Sequence, residues 1–392
     1  MAGVLKYWRE SASLILASRR LGAVKPQQSF MNQLFSKKET EPPVEQDELL
    51  RLLTVKRSSG SSYLPNVYVF PGGVVDNTDF SKDWLDMMRF NTSTELLNLF
   101  THGKPGSPIF SRTRDSEFAS VPSEVALRIA AIRETFEESG ILLARSNDNL
   151  EVHGTHSLGT PLQGNIFDIP DKERKIWRKK VISEPSQFMN MCRELEVVPD
   201  IWSLYEWSNW LTPLLKKSHR FDTVFFQSCV DEGPPIEVDK GETVHGVWMN
   251  PANLLKACSH GLVSLAPPQT YELSRLARFA SVDDLLTLAC QRSKHRSARW
   301  MPWIIACKDG LVFLLPGDEL YPEDPDYTGE NSTNVPKREE TFDELAAKFP
   351  QQNRAFINHK DKQLSLSCNL EYLEGHVLPV NFNRKSEFQP KW

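Results

Sequence analysis

No apolar run in this chain approaches the roughly 18 residues needed to span a bilayer. Its six cysteines (Cys192, Cys229, Cys258, Cys290, Cys307 and Cys368) form no C-x-x-C pair. That spacing offers no zinc signal, and scattered thiols fit a reducing interior. Basic charge is not in excess either. A net charge of −5 argues against a general nucleic-acid coat and leaves at most a local basic cleft. There is no internal repeat and no long low-complexity block. The last residues, Gln389-Pro390-Lys391-Trp392, are not a Ser-Lys-Leu-type peroxisomal address. Near the start, SASLILAS (11–18) is too short and poorly bounded for a secretory signal. Lys6, Arg9, Arg19 and Arg20 around it allow a mitochondrial presequence, and Glu10 counts against one. The preferred reading is a first strand over Ala12–Ala17.

What is present is ordinary for a soluble globular protein: 40% apolar and 25% charged residues over 392 positions, enough for a sizeable core. Residues 22–48 are polar, with Pro26, Pro42 and Pro43, and read as a loop insertion. Strands are expected at Leu49–Lys56 and Tyr63–Phe70, after which the glycines of Phe70-Pro71-Gly72-Gly73 turn the chain. Helices are expected at Asp83–Phe90 and Ser93–Phe100, then a Gly/Pro loop at Gly103–Pro108. A long helix opens at Pro122-Ser123-Glu124, with Ser123 as its expected N-cap. Two basic helices, Lys172–Lys180 and Ser186–Leu195, read first as solvated faces. Strands at Leu204–Leu211, Thr223–Val230 and Thr243–Met249 follow, then a helix at Pro251–Ser259 and two more between Pro268 and Gln291. A hairpin spans Trp303–Leu315, turning at Asp309-Gly310. The tail beyond Tyr321 is weakly specified.

The helix after Pro122 carries RETFEESG, Arg133–Gly140. At about 100° per residue, Val125, Ile129, Ile132 and Phe136 fall on one stripe, the expected buried face. Glu134, Glu137 and Glu138 fall on the other side, so the carboxylates do not compete with packing. Two accounts of them stand on these residues alone. One is a solvated acidic face, with Arg133 and Glu137 paired four residues apart. The other is a carboxylate cluster offering oxygen donors to a hard cation such as Mg²⁺, which bridges to phosphates. Like-charge neighbours on an open helix cost roughly a few tenths of a kcal/mol each, too little to decide. The upstream glycine turn favours the second account. Lys56 and Arg57 at a strand end read either as phosphate contacts or as ordinary strand-end charge. Glu242, beside Asp239 and Lys240, reads as a further carboxylate for the site or as a solvated residue.

Arg133 to Ile141 resemble the second half of the signature of the Nudix hydrolase family, G-x(5)-E-x(7)-R-E-U-x-E-E-x-G-U, where U is bulky and apolar; Thr135 departs at one U position. The first half is present but displaced. Five residues after Gly73 comes Asp79, an acid where the family has Glu, and 53 residues (80–132) stand where the family has seven. An insertion of about 46 residues therefore splits the box. That split, with LLTVKRSS (52–59), SNWLTP (208–213) and HRFDTVFF (219–226), resembles the coenzyme A-active branch of the family.

The resemblance implies an α/β/α sandwich around a mixed central sheet, with a helical insertion inside the box and a C-terminal helical plus hairpin extension. The domain would run over 8–260, with insertions at 22–48 and 80–122, and the extension over 261–392. The implied reaction is hydrolysis of the diphosphate of coenzyme A and acyl-coenzyme A with Mg²⁺ or Mn²⁺, giving 3′,5′-ADP and (acyl-)4′-phosphopantetheine. Glu137 and Glu138 would be the main metal ligands and Glu134 a ligand or water-orienting base. Arg133 would orient a glutamate, and Glu242 would add a ligand or base. Gly72 and Gly73 would bring the loop against the helix, and Lys56 and Arg57 would meet the phosphates. A peroxisomal location is implied, with mitochondrial or cytosolic as alternatives. Another nucleoside diphosphate derivative, or a non-catalytic binding role, stays open at this point, as do acyl-chain preference and oligomeric state.

Overall fold

Apolar side chains occupy both faces of the first strand, which explains its loose alternation. Leu14 and Leu16 enter one core and Ile15 and Ala17 the other, because successive strand residues point to opposite faces. A strand of this kind belongs in the middle of a sheet covered on both sides. The computed structural model describes residues 7–21, 50–61, 64–90, 107–147, 160–214, 219–239, 241–292, 295, 297–330, 334–361, 364–371 and 376–382. The expected loop at 22–48, the helix at Ser93–Phe100 and most of the loop after it lie outside those residues.

In chain order the strands are β1 (Arg9–Leu21), β2 (Arg51–Arg57), β3 (Tyr68–Val69), β4 (Gly72–Val74), β5 (Ala144–Ser146), β6 (Val197–Pro199), β7 (Tyr205–Leu211), β8 (Phe221–Gly233), β9 (Thr243–Met249) and β10 (Arg299–Trp300). They are followed by β11 (Trp303–Ala306), β12 (Gly310–Leu314), β13 (Asn353–Asn358) and β14 (Leu364–Cys368). Eight of them form one mixed sheet with the path β10-β7-β8-β1-β2-β3, with β4 on β1 and β9 on β2. β1 runs parallel to β8, from Arg9 opposite Phe221 to Leu21 opposite Gly233. The helix Ser123–Ser139, with Asp171–Ser183 and Gln187–Glu194, packs into one core. Helices Pro251–Ser259, Pro267–Leu276 and Val282–Arg292 pack into the other. The expected α/β/α sandwich is the architecture found.

Local differences have physical causes. The expected strand at Tyr63–Phe70 shrinks to β3, because Leu64 and Asn66 take positive φ (49° and 60°) in a turn around Pro65. Ser123 is not the N-cap. Pro122 holds that position, and its carbonyl accepts from the N–H groups of Val125 and Ala126, while the Ser123 hydroxyl accepts from Arg114 Nε at 2.6 Å. The two basic helices are not simply solvated. Trp177, Arg178 and Val181 on the first, and Phe188, Met191 and Cys192 on the second, are buried at helical spacing. The weakly specified tail folds as well. The hairpin of β11 and β12 pairs as expected, then gains β13 and β14 to make a four-stranded antiparallel sheet. Between them lies a helix, Phe342–Lys348, opened by a Thr341/Glu344 capping box.

The box-splitting insertion is tied down by charge. Glu10 on β1 and Asp222 on β8 lie opposite each other, both fully buried. Arg112 and Arg114, from the end of the insertion, meet them. Arg112 donates to Glu10 at 2.6 Å and to Asp222, and Arg114 donates to both Glu10 oxygens at 2.8 and 3.0 Å. Without Arg112, Glu10 keeps Arg114 and Asp222 keeps Arg299 at 3.1 Å, so each carboxylate loses one of two cationic partners. Arg112→Ala should therefore destabilise the protein by about 2 kcal/mol, the cost of losing a hydrogen bond to a charged group, read from urea denaturation.

Candidate active site

The two halves of the split box meet. β4 pairs with β1, Gly72 opposite Ser13 and Gly73 opposite Ala12, which lays the glycine loop along the glutamate helix. The Gly72 N–H donates to Glu138 Oε2 at 3.0 Å. A Cβ on Gly73 would lie 2.3 Å from Glu134 Oε2, and one on Gly72 would lie 2.4 Å from the Ala12 carbonyl oxygen. Only glycine permits both approaches.

Arg133 joins the pieces. Its Nε and Nη2 each donate to one oxygen of Asp79 at 3.0 Å, a bidentate pair. Nη2 also reaches the Val74 carbonyl at 3.1 Å, and Nη1 donates to Glu134 at 2.8 Å and to Glu137 at 2.7 Å. Asp79 is held in a 3₁₀ turn, Asn77–Phe80, where it closes a capping box with Asp76. The insertion thus leaves this acid in the site. Arg133 and Asp79 are 2% and 1% exposed, and Glu138 only 4%. That excludes a solvated acidic face. It also corrects the one-sided stripe, since the glycine loop covers the acidic side of the helix while Val125, Ile129, Ile132 and Phe136 fill the core on the other.

Three carboxylates, Asp79, Glu134 and Glu137, share the Arg133 guanidinium, and Glu138 lies next to them on the Gly72 N–H, so carboxylates outnumber the cation here. Burial, then repulsion from Glu134, pushes the Glu137 carboxyl up to about 8. Burial, followed by Glu134, raises Glu138 well above the usual range against the Gly72 N–H. Glu134 is raised by burial, opposed by Arg133. Among the described residues, no three His, Cys, Asp or Glu side chains converge as a ready-made cage. The donor chemistry nonetheless fits a hard divalent cation: all the donors are carboxylate oxygens, and a cation offsets their charge. Mg²⁺ typically takes one or two carboxylates, waters and substrate phosphates rather than a full protein cage.

Arg57 and Lys56 separate by strand alternation. Arg57 lies on the side of the glutamates, where its charge favours ionised Glu138, and it pairs with Glu242 at 3.0 Å. Glu242 is exposed, on a turn whose Asp239 accepts from the N–H groups of Glu242 and Thr243 at 2.9 and 2.8 Å. Lys56 stands opposite Tyr68 and His245, which hydrogen-bond each other at 3.1 Å on the other sheet face. Trp207 and Trp210 are core, and both indoles donate to buried Glu272 at 2.7 Å. Sequence reasoning did not find the work of Asp239, Thr243 and Arg178. For Arg178 the available signal was its place on the Trp177–Val181 face.

A glycine loop closed onto an R-E-x-x-E-E helix that packs on the central β1 of a mixed α/β/α sheet defines a Nudix hydrolase domain. A family model described as the NUDT19 Nudix domain matches residues 8–276, and one described as the NUDT19 C-terminal domain matches residues 304–369. The chain belongs to the NUDT19 family. It is 38% identical over 396 residues to a Xenopus laevis protein named acyl-coenzyme A diphosphatase NUDT19, covering 99% of each chain. Proteins of the same name from Homo sapiens and Gallus gallus are 35% and 34% identical, covering 95% and 97% of each chain.

The Gly72 contact is with backbone, which cannot swing aside. Gly72→Ala should force β4 off β1 and cost about 3 kcal/mol in chemical denaturation, by overpacking together with backbone strain.

Proposed function

We propose that this protein hydrolyses the diphosphate of coenzyme A and acyl-coenzyme A, with Mg²⁺ or Mn²⁺, to 3′,5′-ADP and (acyl-)4′-phosphopantetheine. The observation that carries the reading is the Asp79–Arg133 pair, which makes one site of a box cut in two. Near-full-length likeness to relatives named acyl-coenzyme A diphosphatases supplies the substrate.

Glu134, Glu137 and Glu138 would hold the cation, and Glu242, on its exposed turn, would add a further carboxylate. When bound, the cation neutralises phosphate charge and acidifies water. Arg133 fixes Glu134 and Glu137 through Nη1, leaving the second oxygen of each carboxylate for other partners. Glu134, pinned between Arg133 and Gly73, accepts a proton from the attacking water. Arg57 is one step from the glutamates and exchanges Glu242 for a substrate phosphate oxygen, where a guanidinium is well suited. Lys56, on the other sheet face beside Tyr68 and His245, is not part of this arrangement. Gly72 fixes Glu138 through its N–H.

Purified protein given coenzyme A and Mg²⁺ should yield the two products by chromatography. Glu138→Gln should lower kcat by about 100-fold; unchanged turnover would remove Glu138 from the site. A pH dependence follows from the raised carboxyls. Below about 8 the Glu137 carboxyl holds a proton that a cation must displace. Mn²⁺ affinity should therefore fall by up to about tenfold per pH unit from pH 8 to 6 in calorimetric titrations; a flat profile contradicts Glu137 as a ligand.

A further inference from the structure

An α-helix ends in four carbonyls that no helical N–H reaches. In the glutamate helix these belong to Phe136, Glu137, Glu138 and Ser139, and each has a named donor. The Gly140 N–H reaches Phe136 at 2.9 Å, with Gly140 in the left-handed region at φ 75°. The Glu237 N–H reaches Ser139 at 2.9 Å. The other two are served by side chains from distant segments. Arg178 donates Nε and Nη2 to the Glu137 carbonyl at 3.2 and 2.5 Å. Thr243 Oγ1 lies 3.1 Å from the Glu138 carbonyl and 2.8 Å from Asp239 Oδ1.

A hydroxyl has one proton to give. Thr243 Oγ1 stands between two acceptors: the Asp239 carboxylate, which also accepts from the N–H groups of Glu242 and Thr243, and the Glu138 carbonyl, which has no backbone donor among the described residues. Its hydroxyl thus bridges the turn and the helix end. The two carbonyls held by side chains thus belong to the two glutamates that would carry most of the cation's ligation. The carboxyl end of a helix also carries partial negative charge, at the same end as three glutamates. The Arg178 guanidinium, 6% exposed, offsets it.

We propose that Arg178 and Thr243 are positioning residues for the cation site: they fix the last turn of the helix so that Glu137 and Glu138 present their carboxylates together. Thr243 follows Glu242 in the chain, so the same clamp ties the turn bearing that carboxylate to the helix. This rests on the cation reading above.

The test compares wild type, Thr243→Val, Thr243→Ser and Arg178→Lys. Mn²⁺ alone is titrated by calorimetry, and amide hydrogen exchange is followed over residues 134–141 in metal-free protein. Thr243→Val should bind Mn²⁺ about tenfold more weakly, as loss of an outer support of a metal ligand does, and Thr243→Ser should restore binding to within about twofold. Arg178→Lys keeps the charge and loses the two-pronged donation, and should weaken Mn²⁺ by about threefold. Exchange over 134–141 should accelerate in Thr243→Val and Arg178→Lys. Folded Thr243→Val with wild-type Mn²⁺ affinity overturns the proposal, as does unchanged exchange. If Thr243→Val does not fold, Arg178→Lys decides by the same two readings. Wild type that binds no Mn²⁺ contradicts the cation reading instead, and the exchange result still judges the clamp.

Discussion

The Arg133 guanidinium holds the site together against the charge the site itself concentrates. It sits buried between Asp79 on one side and Glu134 and Glu137 on the other. A lone buried cation would be expensive; here it is matched by more carboxylates than it can neutralise. The surplus explains several features at once. Together with burial, which acts first, it raises the glutamate carboxyls, and it makes the cluster a fit for a cation. It also accounts for the guanidinium of Arg178 at the helix end.

The second constraint is covalent. A box interrupted by some 46 residues brings its halves together only if both ends of the insertion are anchored. Asp79 anchors the beginning through Arg133, and Arg112 and Arg114 anchor the end through Glu10 and Asp222. Both anchors are buried arginine–carboxylate contacts: one is to the helix packed on β1, the other to β1 and β8 themselves.

Periodicity made the main elements readable. The Val125–Phe136 stripe, the Pro251 helix and the hairpin at Asp309-Gly310 followed from spacing and turn chemistry alone. What was hidden had no local signature. The 53 residues between Asp79 and Arg133 conceal their pairing, because sequence distance says nothing about a bidentate contact across a fold. Arg178 disappears into a helix rich in Lys and Arg, where only the neighbouring Trp177 and Val181 mark the buried side. Tyr63–Phe70 looks extended by composition, yet Leu64-Pro65-Asn66 turns. Lys56 and Arg57 look equivalent until strand alternation sends one toward the glutamates and the other toward Tyr68 and His245.

The central claim is that Asp79 and the glutamate helix act as one catalytic unit through Arg133. It is tested most directly by a double-mutant cycle on kcat/KM for coenzyme A, using Asp79→Asn, Arg133→Lys and the pair. If the two residues work through one contact, each single change lowers kcat/KM, and the double variant is little worse than the more damaged single. Losses that simply multiply, or an Asp79→Asn enzyme as active as wild type, would contradict it.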